Sequence, residues 1–316
     1  MRLAMMGSGG IGGYYGGRMA AAGHDVTFIA RGSHLEAMQQ NGLAIESRDM
    51  PDSLVRPVQA TDSPEEVGPV DCIIVGVKLW DTAAAGHALM PMVGPETMVL
   101  SLQNGFEGDD VLASIVGPER LIGGVAFIAS SIARPGVIGH IGTMQRAVIG
   151  EHAANGSGGS ARVEALHAAL TDGGIAAEIS DDIDRTIWEK FVFLVGLSAT
   201  TTLMRTPIGP IRDDPDSRRF LLEAMAETVA VGRAKGIDLP ERYAEERMDF
   251  VDGLPADMTS SMHHDLERGN KLEAAWLSGA VARHGESLGI PTPVNRTVFA
   301  ALKPRAAPGP DTGPAG

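Results

Sequence analysis

A doubly wound α/β sheet followed by an all-α domain is the fold class this 316-residue sequence predicts, and three observations predict it. Short apolar runs alternate with helical patterns through the N-terminal half, the signature of strands crossing over through helices. A glycine loop, Gly7-Ser8-Gly9-Gly10-Ile11-Gly12, separates the first apolar run from the first helical stretch. Beyond Asp184 only the helical period remains. With 44% hydrophobic and 21% charged residues, the chain has the composition of a water-exposed globular protein with room for two domains.

Taken in order, Leu3–Met6 reads as a short strand and Tyr14–Ala22 as a helix with small residues on one face. A G-x-G-x-x-G loop in that setting marks a dinucleotide site, so Gly7, Ser8, Gly9, Gly10, Ile11 and Gly12 are candidate cofactor-binding residues of a Rossmann-type domain. Gly7 suits the tight turn, Gly9 lets a pyrophosphate approach the backbone, and Gly12 lets helix and strand pack closely. The helix N-terminus offers free N–H groups to the phosphates. The second strand, Asp25–Ala30, ends on Arg31, where an NAD enzyme usually carries an acid. A guanidinium there suits a 2′-phosphate, so NADPH is the expected cofactor. Ser33 is placed to cap a helix over Leu35–Gln40.

Asp71–Val77 is an unbroken apolar run, as a parallel strand covered on both faces should be. Lys78 follows it. A helix over Thr82–Met90, a strand over Met98–Leu102, the turn Gln103-Asn104-Gly105 and a helix near Asp109–Ile115 come next. Gly7, Arg31, Lys78 and Asn104 thus each lie just past the carboxyl end of a different strand, where open α/β sheets bind ligands. Gly123–Ile132, Gly136–Ile141 and Arg146–Ile149 read as antiparallel strands closing the sheet. A helix over Arg162–Leu170 and a strand over Ala176–Ser180 finish a domain spanning residues 1–181.

Residues 182–303 form the expected helical domain, and 304–316, rich in proline and glycine, an expected disordered tail. Ile183–Leu203 is apolar on nearly all sides, with Lys190 the single cation at the mouth of the run. Desolvation would lower the pKa of such a lysine and suit it to proton transfer; snorkelling outward along its stem is the alternative. Further helices are expected over Pro215–Lys235 and Ala244–Gly253, with a short one ending at Glu267 and capped by Thr259, Ser260 or Ser261. A last long helix is expected from Lys271 to Leu288, with Glu273 in its first turn.

A formal charge of −14 and 4% aromatics argue against nucleic-acid partners. No segment approaches 18 consecutive apolar residues, so no membrane span is expected. The single cysteine, Cys72, lies in an apolar strand, fits a reducing compartment and reads as a buried inert thiol. Paired His263-His264 lacks the spacing of a helical metal site, and no metal is expected. The expected location is cytoplasmic, the expected partner a small molecule, and the largely apolar helical half leans the reading toward a homodimer.

As a set, the motifs resemble the ketopantoate reductase (2-dehydropantoate 2-reductase) family over roughly the whole chain up to the tail. The carrying stretches are GSGGIGG at Gly7, Arg31, VKLWDT at Val77, LQNGFE at Leu102, WEKF at Trp188, TSSMHHDLERGNKLE at Thr259 and GIPTPVN at Gly289. The resemblance implies reduction of a 2-keto acid by NADPH. It implies that the glycine loop holds the pyrophosphate and that Arg31 with Lys78 grips the adenosine phosphate. Asn104 would lie near the nicotinamide and the reacting carbonyl, Lys190 would be the general acid, Glu273 would orient the substrate and Ser261 would contact its carboxylate. Where ketopantoate-active members carry Asn one and two turns after the lysine, this chain has Leu194 and Ser198, at i+4 and i+8 from Lys190. That departure implies a substrate less polar or bulkier than ketopantoate. Other readings are a dehydrogenase of the opine or 3-hydroxy acid type and a non-catalytic NADPH sensor; intact Lys190 and Glu273 weigh against the sensor.

Overall fold

The structure is a computed structural model that describes residues 1–307 and Gly309. The chain divides into two compact units, one of residues 1–104 with 108–186 and one of residues 105–107 with the chain from Ile187 onward.

The first unit is built on β1 (Arg2–Met6), β2 (Asp25–Ile29), β3 (Leu43–Ser47), β4 (Ser53–Val55), β5 (Gln59–Thr61), β6 (Cys72–Val75), β7 (Met98–Ser101), β8 (Leu121–Arg134), β9 (Val137–Glu151) and β10 (Ala176–Ile179). Strands β5-β2-β1-β6-β7-β8 run parallel in that order, the strand order of the Rossmann fold. Alternation along each strand feeds two apolar layers. Leu3, Met5, Cys72, Ile74 and Leu100 face the layer holding Tyr15 and Met19 of α1 (Gly10–Ala21). Ala4, Met6, Ile73, Val75 and Val99 face the other, with Leu89 and Leu112. The continuous apolar runs of the sequence are therefore strands buried on both faces.

Helix α2 (Gly32–Asn41) follows β2, and α3 (Thr82–Ala88) and α4 (Glu107–Val116) flank β7. The α2 helix begins earlier than its pattern suggests. Arg31 is its N-cap residue and makes no side-chain cap, so Ser33 lies inside the first turn and is not the cap. The three antiparallel strands expected after residue 122 are one long hairpin, β8 with β9, with register shifts at Ile128/Ala129 and Ile132/Arg134. This hairpin does not close the sheet: β3 pairs with β9 and β4 with β3 beyond it. Strands β4 and β5, three residues each, are too short to show a period in the sequence, and β3 carries no unbroken apolar run. Helix α5 (Ala161–Asp172) leads to β10, which adds in parallel to β9. Cys72 is free and fully buried, and burial pushes its thiol up to about 12.

Helix α6 (Ile183–Met204) starts in the first unit and continues as the central helix of the second. By length and hydropathy it alone among the described residues could cross a membrane, a property that counting consecutive apolar residues misses. Two-thirds of its most apolar stretch is buried inside the protein, which marks it as a core helix. Around it lie α7 (Ile208–Asp213), α8 (Pro215–Ala234), α9 (Tyr243–Asp252), α10 (Ser261–Glu267), α11 (Ser278–Leu288) and α12 (Pro293–Leu302). The expected helix from Lys271 to Leu288 is broken. Glu273–Ala275 is a single 3-10 turn, and α11 starts only at Ser278, after Leu277 departs from helical dihedrals (φ −104°, ψ −102°). Glu273 consequently sits in a separate turn and does not complement the α11 dipole. At the C-terminal end Lys303–Arg305 forms another 3-10 turn, and Ala306 bridges to Leu272, so the start of the expected tail is ordered. Pro308 and residues 310–316 of that tail lie outside the described residues.

Candidate active site

In the first unit, the strand order reverses between β1 and β6, and the glycine loop leaves β1 at that switch point. Gly7 has φ +95°, and a Cβ there would lie 2.6 Å from Cγ1 of Val77. At Gly12 a Cβ would lie 2.0 Å from the Gly7 carbonyl oxygen, and at Gly10 2.3 Å from that of Ser130. Gly9 is different. A Cβ there would meet nothing within 4 Å, and its φ of −75° suits any residue. Internal packing accounts for Gly7, Gly10 and Gly12, whereas Gly9 leaves space free above the backbone. Gly9 is also the N-cap of α1 and provides no side-chain acceptor, and no acid sits in the first turn. Room over a bare helix N-terminus is what an anionic pyrophosphate requires. Ile11 is partly buried, and Ser8 is 4% exposed with its hydroxyl donating to the Ile29 carbonyl at 3.0 Å.

The other residues at this sheet edge are placed by neighbouring loops. Arg31 is exposed just past β2. Lys78 is exposed directly after the Gly76–Val77 exit of β6, its Nζ 5.8 Å from the Trp80 ring centroid. Asn104 follows β7 and is partly buried. Gln103 ties the β6 and β7 exits together, its Nε2 donating to the Val77 carbonyl at 2.9 Å and to Thr82 Oγ1 at 2.8 Å. Gly7, Arg31, Lys78 and Asn104 thus share one edge of one sheet. His34 and Gln103, which brace that edge, carry no periodic signal in the sequence, because loop-to-loop bonds have none.

In the second unit, α6 passes Trp188, Phe191, Val192 and Val195 into the core, all at most 3% exposed. Phe106 stacks on Trp188 with ring centroids 4.5 Å apart, and Phe191 meets Phe106 edge-on at 5.3 Å. The adjacent Glu107 is buried and accepts from Arg283 at 2.8 and 3.0 Å and from His284 Nε2 at 3.0 Å. These contacts explain why residues 105–107 belong to the helical unit. Lys190 lies in this setting. Part of its side chain reaches the surface, yet dense apolar surroundings desolvate the ammonium. Burial lowers its pKa from 10.5 to about 8, and the Glu273 carboxylate acts in the opposite sense without reversing it. Of the two readings of Lys190, the desolvated one describes the structure.

Glu273 is 7% exposed. Leu194, one turn beyond Lys190, is partly buried, while Ser198 is fully buried with its hydroxyl lacking any hydrogen-bond partner in the protein. Eight residues advance a helix by about 80° beyond two turns, enough to carry Ser198 inward. Ser260, not Thr259 or Ser261, caps α10: its Oγ accepts from the His263 N–H at 3.1 Å and pairs with Thr201 Oγ1 at 2.9 Å. That leaves Ser261 exposed as the first residue of α10. Among the described residues no group of three or more His, Cys, Asp or Glu side chains is placed to hold a metal ion.

The strand order and the glycine loop at its switch point define a Rossmann-type α/β unit, here joined to a helical unit that carries a desolvated lysine. The particular family follows from comparison. Residues 3–154 match the family model for ketopantoate reductase PanE/ApbA, and residues 182–306 match its C-terminal counterpart. A 2-dehydropantoate 2-reductase of Halobacterium salinarum is 33% identical over 299 residues, covering 94% of this chain and 96% of its own. An uncharacterized oxidoreductase of Bacillus subtilis is 30% identical over 305 residues, covering 96% and 98%. The crystal structure of a 2-dehydropantoate 2-reductase from Geobacter metallireducens superposes with a TM-score of 0.88 at 31% identity, covering 96% of this chain and 99% of that one. The chain belongs to the ketopantoate reductase family and is an oxidoreductase of the type that acts on CH–OH groups.

Proposed function

We propose that this protein reduces a 2-keto acid to the 2-hydroxy acid with NADPH, the substrate being ketopantoate or a 2-keto acid with a less polar side chain. The observation that carries this reading is Lys190, a cation buried enough to have a pKa of about 8 and set near a buried glutamate. When bound, NADPH supplies the hydride. Reduction builds negative charge on the carbonyl oxygen, and a lysine with a pKa near neutrality can both stabilise that charge and give up its Nζ proton to the oxygen. Glu273 orients that end of the substrate, and Ser261 contacts its carboxylate.

In the same reading Gly7, Ser8, Gly9, Gly10, Ile11 and Gly12 cradle the pyrophosphate. The open space over Gly9 supports it. Arg31 and Lys78 hold the adenosine phosphate, and Asn104 faces the nicotinamide and the carbonyl. The exposed guanidinium of Arg31 supports NADPH over NADH, because only NADPH carries the 2′-phosphate. Leu194 supports a less polar substrate, since an apolar side chain leaves a substrate hydroxyl without a partner.

The test compares kcat/KM with NADPH for ketopantoate and for branched and aromatic 2-keto acids, in the native protein and in Lys190→Ala. Turnover of at least one 2-keto acid that falls by about a hundredfold or more in Lys190→Ala is expected. Unchanged turnover in the variant would remove Lys190 as the proton donor. A clear preference for ketopantoate would remove the less polar pocket while leaving the reductase assignment in place. Arg31→Ala should weaken NADPH far more than NADH.

A further inference from the structure

We propose that His34 is a positioning residue for cofactor binding: its ring locks the Ser8 carbonyl and thereby sets the direction of the Gly9 N–H in the phosphate loop. The inference rests on the reading of that loop as the NADPH pyrophosphate site.

His34 is the third residue of α2 and only 9% exposed. The backbone N–H of Gly136, in the turn between β8 and β9, donates to its Nδ1 at 3.1 Å. That nitrogen therefore holds a lone pair, and the ring proton resides on Nε2. Nε2 lies 2.9 Å from the Ser8 carbonyl oxygen and donates to it. Both nitrogens are satisfied only in this neutral tautomer, and burial keeps the pKa of His34 below its usual range, which favours the same state.

Ser8 is pinned a second time by its own hydroxyl, which donates to the Ile29 carbonyl at the end of β2. Its carbonyl and the N–H of Gly9 belong to one trans peptide unit and point in opposite directions. Drawing the carbonyl toward α2 turns the Gly9 N–H away from α2. Gly9 is the residue over which the backbone is uncovered. A glycine-rich loop has few side chains to hold its peptide planes, and glycine loses the most freedom on ordering. One buried hydrogen bond to the Ser8–Gly9 plane replaces that missing restraint and preorganises the donor that a phosphate oxygen would meet. Arg31, three residues before His34, recognises a different part of the cofactor, so the two residues have separable effects.

The test uses His34→Gln, His34→Asn and His34→Ala in the full chain. The Gln amide reaches the Nε2 position and can still donate to Ser8. The Asn amide reaches only the Nδ1 position and can serve Gly136 alone. NADPH and NADH dissociation constants are read by nucleotide fluorescence, KM for the keto acid by turnover, and folding by circular dichroism and thermal melting. His34→Ala and His34→Asn should weaken NADPH and NADH by a similar factor of about tenfold, the usual scale of one lost buried hydrogen bond. His34→Gln should stay within about threefold of the native protein, and KM for the keto acid should not move. Affinity losses that follow melting temperature and are equal in Gln and Asn would overturn the proposal, as would a loss confined to NADPH or native affinity in all three variants. If the native protein binds neither nucleotide, the reading of the loop fails and the inference falls with it; native binding with unaffected variants defeats the inference alone.

Discussion

Replacing Lys190 with methionine keeps the length of the side chain and removes its charge. In the folded protein the Lys190 pKa is about 8, against the ordinary 10.5. Above the unfolded value both states hold a neutral amine and folding incurs no cost from it. As pH falls from the unfolded value toward the folded one, the unfolded chain binds the proton that the folded site resists, so the native state is progressively destabilised until about pH 8, below which the cost is constant. Between pH 7 and pH 10 the native protein should therefore gain about 2 to 3 kcal/mol of unfolding free energy relative to Lys190→Met. The assay is urea denaturation of both proteins at each half unit of pH, with the difference plotted. Taking the difference cancels other titrations, among them His152, whose drift has the opposite sign. A matching measurement follows the lysines by NMR after isotopic methylation, where the resonance lost in Lys190→Met should titrate near 8. Parallel stability curves for the two proteins would refute the desolvated lysine, and with it the physical basis for Lys190 as a proton donor at neutral pH.

The glycine loop separates packing from binding. Gly9→Ala should leave the melting temperature unchanged and weaken NADPH, because its Cβ points into open space, whereas Gly12→Ala should destabilise the fold, its Cβ lying 2.0 Å from a carbonyl oxygen. Melting curves with and without NADPH distinguish the two. His152 is held by Asp184 at 2.6 Å and by Asp109 at 3.5 Å, and these carboxylates overcome burial to raise its pKa to about 10. Its stabilisation is complete below its ordinary value of 6.5 and should be lost as pH rises toward 10. His152→Gln should flatten that loss in a denaturation series. Glu107→Gln should destabilise the helical unit by about 1 to 2 kcal/mol, since the buried carboxylate that accepts from the partly buried Arg283 and His284 would lose its charge; chemical denaturation reads it directly.

Periodicity and glycine placement settle much of this protein locally. Strands such as Cys72–Val75 are legible because burial on both faces demands an unbroken apolar run, and α6 because a core helix must be apolar on nearly all sides. The loop Gly7–Gly12 is legible because tight backbone approaches exclude a side chain at Gly7, Gly10 and Gly12, while Gly9 completes the pattern with open space above it. The sequence alone also places Gly7, Arg31, Lys78 and Asn104 past the ends of four strands, which is enough to put them on one sheet edge once the strands are parallel. Tertiary structure decided what has no local period. Strands β4 and β5 are too short to alternate visibly and β3 has no unbroken apolar run; pairing of β3 with β9, β5 with β2 and β4 with β3 makes them strands. Glu273 leaves the α11 helix because Leu277 breaks it, although the pattern of that segment runs on as one helix. The assignment of residues 105–107 to the helical unit rests on Phe106 stacking and on Glu107 pairing with residues far along the chain. Two possible states of Lys190, snorkelling or desolvated, differ only in what surrounds the ammonium, and a sequence does not state its own surroundings.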